Sequence, residues 1–289
     1  MPRLRRTARP ALVPAPAAPV VRSGTSQPSY QPERYVPTPQ RPLRAKARLL
    51  EHLADIQPHH HDWAQLVFSF SGAVRVSTPS STFIVPPSRA VWIPAGLEHA
   101  VTAIERADLR TVYVLADVLP AEAWHQPRVL EVSPLLRELV QALPTDPDPC
   151  PPEAADDAAR RQSVEALVAH ELKRARALPL GVALPADARL RRLCEAMLRD
   201  PGRHAGLDAW AAEAGASPRT LNRLFRDQLG TSFVQWRSQL LLAHAVTLAA
   251  RGRPMGHIAA ELGYASASAF SAMVTRTVGM PPSRFFAEA

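Results

Sequence analysis

Cysteine is nearly missing from this chain of 289 residues, which has only Cys150 and Cys194. Cys150 lies in a Pro-rich stretch and Cys194 among Leu190, Leu193, Met197 and Leu198. Neither shows metal-ligand spacing or a reason to pair, so no disulfide framework is expected, and Cys194 reads as a small buried hydrophobe. Long apolar runs are missing too. No stretch reaches the ~18–20 residues that span a bilayer. The early run ALVPAPAAPVV is broken by three prolines, and no cleavage pattern follows it. A membrane protein is not expected; the expected location is the cytoplasm, at the nucleoid.

Charge is unevenly spread. Residues 1–50 hold ten basic groups and one acid, residues 51–185 eleven and seventeen, and residues 186–289 thirteen and eight. Lysine is absent from the last of these segments, whose basic groups are all arginine. A basic end after an acidic middle points to an anionic partner for the C-terminal part. Residues 1–42, rich in Pro and Arg without apolar periodicity, read as a disordered tail.

From residue 43 to 119 short runs alternate with period two: AQLVFSF, AVRVS, TFIV, AVWIP, HAVTAI and LRTVYVL. Turn residues separate them, which predicts a small antiparallel barrel or double-sheet jelly roll. Over residues 120–185 the pattern turns helical and predicts linker helices. Leu135, Leu136, Leu139 and Val140 form one short face. Val164, Leu167, Val168, Leu172, Ala175 and Leu178 form a longer stripe. That stripe either seals the barrel or pairs with its twin in a homodimer, and dimerisation is slightly the better reading.

Residues 186–289 carry the most information. In LDAWAAEAGASPRTLNRLFRDQLG (207–230), Leu207, Trp210, Ala211 and Ala214 make one helical face. Gly215 stops that helix, Ser217 caps the next and Pro218 opens it. The second helix buries Leu221, Leu224 and Phe225 and turns Arg219, Thr220, Asn222, Arg223 and Arg226 outward. Helix, tight turn and capped helix with an Arg/Asn/Thr face is a helix-turn-helix, where Arg can take guanine and Asn adenine. The pattern recurs after one long helix. Ile258, Ala259 and Leu262 lead to Gly263, and Ser266 caps a helix carrying Phe270, Met273 and Val274.

This duplicated block resembles the DNA-binding domain of the AraC/XylS family of bacterial transcription regulators. The residues that carry the likeness are Leu207-Asp-Ala-Trp-Ala, Ser217-Pro-Arg-Thr-Leu-Asn-Arg-Leu-Phe, Gly230-Thr-Ser-Phe, Ile258-Ala-Ala-Glu-Leu-Gly-Tyr and Gly279-Met-Pro-Pro-Ser-Arg-Phe. The resemblance implies double-stranded DNA at a promoter or operator as a partner. It implies RNA polymerase as well if the protein activates. Arg219, Asn222 and Arg223 fall where the first recognition helix of the family meets base edges. The second helix departs from the family pattern: it carries Ala267, Ser268, Ser271, Ala272 and Thr275, and only Arg276 is basic. The first unit is therefore expected to read sequence and the second to position the protein on phosphates.

Such regulators often carry an N-terminal cupin-type barrel, which residues 43–116 resemble. In metal-binding cupins an HxH pair, a Glu and a distant His converge. Here His59, His61 and His99 fill the histidine positions, and Gln65 stands in place of the Glu. Three imidazoles suffice for Zn²⁺ or a similar divalent ion, but a metal-free pocket is the preferred reading and no other cofactor is expected. His60 should face solvent. Trp63, Phe68, Phe70, Phe83 and Trp92 offer apolar wall, of which only part can face the pocket. With Gln65 and His99 as polar handles, a small, partly aromatic effector is expected. The whole resembles a subgroup that includes regulators of nitroimidazole or drug-efflux genes. The fold expected is α+β multidomain: a cupin-like antiparallel β-barrel, linker helices and an all-α domain with two helix-turn-helix units. Its function is ligand-sensing transcription regulation without catalysis. A cupin metalloenzyme fused to a DNA-binding module is the alternative.

Overall fold

The computed structural model describes residues 32–87, 89–146, 153–204 and 206–286. Alternation in the first half gives β1 (Leu43–Leu50), β2 (Asp55–His59), β3 (Ala64–Ser71), β4 (Val74–Ser77), β5 (Ser81–Val85), β6 (Arg89–Ile93), β7 (His99–Ala103) and β8 (Ala107–Val114). Then come α1 (Ala121–Trp124), β9 (Arg128–Glu131), α2 (Pro134–Ala142), α3 (Ala155–Arg174), β10 (Ala177–Leu178) and β11 (Gly181–Ala183). Two sheets form, in orders β1-β8-β3-β6-β9-β10 and β11-β5-β4-β7-β2, with every pairing antiparallel.

The period of two sorts the side chains of the six-stranded sheet. Val67, Val91, Ile93 and Leu109 point inward against Val76, Phe83 and Val101 of the other sheet. Leu66, Phe68, Trp92 and Val112 point outward, where α2 and α3 cover them.

That covering corrects the expected dimer stripe. Val164, Val168, Leu172 and Ala175 of α3 pack into the outward cluster. They seal the sheet, and Leu178 lies in β10 rather than on the helix. The stretch 120–185 is likewise more than linker helices, because β9, β10 and β11 complete both sheets. Strands of two and three residues, as β10 and β11 are, leave no period to read. The expected tail is also shorter than 42 residues: Pro32–Tyr35 form a 3₁₀ turn, and the Tyr35 hydroxyl donates to the Thr145 carbonyl at 3.2 Å. Residues 1–31 and Cys150 lie outside the described residues.

The C-terminal domain comprises α4 (Ala188–Arg199), α5 (Leu207–Glu213), α6 (Pro218–Leu229), α7 (Phe233–Ala250), α8 (Met255–Glu261), α9 (Ala267–Val278) and α10 (Pro282–Phe285). Gly215 (φ 61°) and Gly263 (φ 78°) sit at the turns inside the α5–α6 and α8–α9 units, in the left-handed region that a side chain would strain. Ser217 accepts from the Thr220 N–H at 3.1 Å and Ser266 from the Ala269 N–H at 3.1 Å, capping the two recognition helices as expected. Cys194 is fully buried on α4, and burial pushes its thiol pKa up.

Helix α7 is apolar on nearly every side. Trp236 and Leu240 close the core of α4, α5 and α6. Leu241, Leu242, Ala245 and Val246 share a cluster with Phe83 and Leu180 of the barrel and with Ile258, Phe270 and Val274 of the second unit. Gly181 lets β11 lie close on β5: a Cβ there would stand 2.8 Å from the Phe83 ring. The Trp236 indole donates to the Ala183 carbonyl at 2.6 Å, and Arg251 pairs with Glu105 at 2.8 Å.

His244 of α7 lies in this interdomain seam. Burial first, then Arg75 on β4 and Arg251, lower its pKa from 6.5 to about 4, against a hydrogen bond to the Leu198 backbone; Asp55 is the acid beside Arg75. A depressed histidine favours the folded state above its unfolded pKa, and that advantage is lost as pH falls through the folded value. Thermal melting should therefore show His244→Gln losing less stability than the parent chain between pH 6.5 and about 4. Parallel curves for the two proteins would remove His244 as the cause.

Candidate effector chamber and nucleic-acid interface

At one end of the barrel, β2 and β7 bring His59 and His99 into register, and the turn after β2 brings His61 to the far side of His99. Ring centroids of His59 and His99 are 4.3 Å apart and those of His61 and His99 5.3 Å. All three imidazoles are held alike: Nδ1 meets a backbone carbonyl, Gln57 for His59 (2.7 Å), Trp63 for His61 (2.6 Å) and Leu97 for His99 (2.9 Å). His60 is exposed, as alternation implied. Burial is the largest cause lowering the pKa of His59 and of His99, the latter to about 4.

Neutral His99 donates from Nδ1 to Leu97, so its Nε2 carries a lone pair. Gln65 reaches that nitrogen at 3.3 Å and His61 Nε2 at 2.8 Å with the same end of its amide. A lone pair needs a donor, so that end is the NH₂, and its two hydrogens serve the two rings. Gln65 thereby serves His61 and His99 without any ion. In ligand type the three nitrogens fit Zn²⁺, with backbone carbonyls orienting them from behind. Their ligand atoms lie within 4.8 Å of one another. A tetrahedral set on ~2.05 Å bonds needs roughly 3.4 Å, so an ion would have to draw them together. No carboxylate belongs to the set, and Arg48 is close enough to His59 to lower its pKa further.

Of the expected aromatic wall, only Trp63 stands at this chamber, stacked on His61 at 5.0 Å. Phe68, Phe70 and Trp92 face the helices, and Phe83 lies in the barrel core with Val76 and Val101. Tyr113, edge-on to both His61 (5.5 Å) and Trp63 (6.1 Å), supplies wall that the sequence reading missed. Its signal was register: Tyr113 pairs with Gln65 across β8 and β3.

On α6, Arg219, Arg223 and Arg226 are exposed, and Arg223 makes a 3.4 Å pair with Asp227. Thr220 is half-buried, with its hydroxyl 2.8 Å from the cap Ser217. Asn222 departs from expectation. Its Oδ1 accepts the N–H of Phe233, the first residue of α7, at 3.2 Å. That N–H is one of the orphan donors at a helix start, so Asn222 ties α6 to α7 and its oxygen is already used. On α9, Ser268, Thr275 and Arg276 are exposed and Ser271 half-buried; the Thr275 hydroxyl donates back to the Ser271 carbonyl at 3.0 Å.

Comparison with known proteins agrees with both halves. The family described as "AraC-like ligand binding domain" matches residues 47–170, and "Helix-turn-helix domain" matches residues 210–288. The HTH-type transcriptional regulator NimR of Escherichia coli (strain K12) is 30% identical over 231 residues, 79% of this chain and 81% of that protein. The chain belongs to the AraC family of transcriptional regulators. Within the family, the HTH-type regulator RipA of Corynebacterium glutamicum is 30% identical over 102 residues, 35% of this chain and 31% of its own. ToxT from Vibrio cholerae is similar at 10% identity over 85% of this chain and 98% of that one, with a TM-score of 0.34. The AraC-family chain thus joins a ligand-binding domain to a helix-turn-helix DNA-binding domain and acts as a transcription regulator. No helix among the described residues is long and apolar enough to cross a membrane.

Two outcomes follow from this geometry. Asn222→Ala should lower stability by about 1 kcal/mol, the worth of one partly buried hydrogen bond, while leaving the sequence preference on DNA unchanged. A preference altered at one base with full stability would return Asn222 to the DNA. Protein purified without chelating resin should carry no stoichiometric zinc, and Gln65→Glu should acquire it. Stoichiometric metal in the parent, lost in His61→Ala, would overturn the Gln65 assignment.

Proposed function

We propose that this regulator reads its operator mainly through α6 and is switched by an effector in the histidine–tyrosine chamber. Arg219, Arg223 and Arg226 meet bases and flanking phosphates, and Thr220 packs the start of the helix. Ser268, Ser271, Thr275 and Arg276 of α9 settle on the backbone of the neighbouring groove. The chamber is a binding site and not a catalytic one: Gln65 gives it hydrogen bonds but no carboxylate for proton transfer. It works without a metal.

The observation that carries the reading is α7, whose apolar surface closes both helix-turn-helix units and packs on the barrel at Leu180 and Val182. An effector that prefers one packing of barrel on α7 changes how the two recognition helices are presented. The protein works in the cytoplasm. It assembles as a homodimer for which Leu135 and Leu167, 52% and 47% exposed on the paired helices α2 and α3, offer apolar surface. It contacts RNA polymerase if it activates.

Footprinting on the DNA flanking its own gene tests the assignment. A discrete protected site should weaken roughly 10–100-fold in Arg223→Ala, since a bidentate arginine–guanine pair is worth about 1–3 kcal/mol. Ser268→Ala should change it little, and Ala272→Arg should tighten it. Equal losses from Ser268→Ala and Arg223→Ala would refute the division of labour between α6 and α9.

A further inference from the structure

Two arginines of α4 leave one rod in opposite directions. Residues two apart on a helix stand about 200° apart around its axis, so Arg189 and Arg191 flank the buried Leu190 on different sides.

Arg189 reaches the turn between α5 and α6. One of its terminal nitrogens donates to the carbonyl of Ala214 and, at 3.1 Å, to that of Gly215. The end of a helix leaves carbonyls without intrahelical partners, and a basic side chain is a fitting donor for them. Gly215 is the left-handed residue of that turn, and Ser217, two residues on, caps α6. A Cβ at Gly215 would stand 3.2 Å from the same Arg189 nitrogen, so the guanidinium lies directly on the turn. Arg189 thus holds the point from which α6 starts.

Arg191 reaches the barrel. Its Nε donates to the Pro185 carbonyl at 3.2 Å, and a terminal nitrogen donates to the carbonyl of Pro79, in the turn between β4 and β5. That turn is itself closed: the Thr78 N–H donates to the Ser81 carbonyl at 2.8 Å, and the Ser81 N–H to the Thr78 hydroxyl at 3.0 Å. Its Ser80 carbonyl accepts the N–H of Leu184 at 2.7 Å, three residues before Asp187, the cap of α4. The β4–β5 turn is therefore tied to both ends of the segment 184–191. Between the two arginines α4 is firmly seated. Leu190, Leu193 and Cys194 share one core with Val182 of β11 and with Leu221 and Phe225 of α6. A rod packed in this way moves as a body and does not bend. The route is separate from α7, whose Trp236 bonds Ala183 of β11.

We infer that Arg189 and Arg191 are a positioning pair. Through them a shift of the β4–β5 turn of the barrel moves the α5–α6 turn, and with it the angle at which α6 is presented. This rests on the reading of α6 as the helix that meets the operator, and it adds a second route from sensor to helix by way of α4.

Hydrogen exchange of the free, full chain tests the pair. Arg189→Ala should speed exchange of the Gly215, Ala216 and Thr220 amides about tenfold. Arg189→Lys, which can still donate to both carbonyls, should recover most of that protection. Arg191→Ala, on the other side of α4, should speed the same three amides about threefold while the amides of β3 keep the parent rate. Beside Arg189→Ala it should add nothing, because the two side chains act in series. Unchanged exchange at the three amides in Arg191→Ala, an effect that persists in full beside Arg189→Ala, or equal acceleration in β3 would overturn the inference. Footprinting on the same preparations keeps the two readings apart. A chain with coupled exchange that protects no DNA keeps the positioning pair and loses the operator helix; one that protects DNA with uncoupled exchange does the reverse.

Discussion

Everything in this molecule leans on one helix that has no side to give to water. Ten residues of α7, from Phe233 to Leu248, are buried. Eighteen residues make a rod about 27 Å long, and two hydrophobic cores close on it. A helix-turn-helix unit of two short helices has too little apolar surface to hold its own geometry. Here each borrows a face of α7, through Trp236 and Leu240 on one side and Leu242 and Val246 on the other. The barrel takes a further strip through Leu180 and Val182. Packed interiors switch between arrangements rather than deforming smoothly, so a shift of β5 or β11 has to be answered by the helix or by a repacking of both units.

The chamber floor shows the complementary design, polar groups arranged so that none needs a counter-charge. Backbone carbonyls take the Nδ1 side of each histidine, and one amide takes two of the inner nitrogens. Burial disfavours the imidazolium form of His59 and of His99. A glutamate in place of Gln65 would add a carboxylate beside the three imidazoles and invite a metal.

How much of this the sequence could tell depended on whether a single period ruled a segment. From residue 64 to 114 alternation is clean, and the six strands read from it are the ones that form. The duplicated Gly-turn-Ser-cap grammar gave both helix-turn-helix units because caps and turns are local chemistry. Strand β1 was obscured for an electrostatic reason. Its arginines and lysine were counted with the basic tail, though the same alternation that buries Leu43 and Ala45 turns them into the barrel. The α3 stripe looked like an oligomer surface because periodicity says that a face is apolar and not what it meets. The bond from Asn222 to α7 was not legible because a helical wheel shows the outward direction but not the orphan N–H of the next helix, which lies within its reach.

The two DNA-facing helices are unequal, and the inequality has a physical consequence. Helix α6 exposes three arginines, whereas α9 exposes Arg276 among alanine, serine and threonine. Short hydroxyl side chains hydrogen-bond phosphates or bases almost indifferently, so under the proposed division of labour α9 would add affinity that survives base changes. Because α7 packs on both helices, a base pair read by α6 would then also set where α9 lands. Specificity from one groove would be enough to place the protein on both. A sensor that tilts α7 would not need to abolish any contact of α6; moving α9 off phosphates would remove the shared part of the binding energy while the code read by α6 stayed the same.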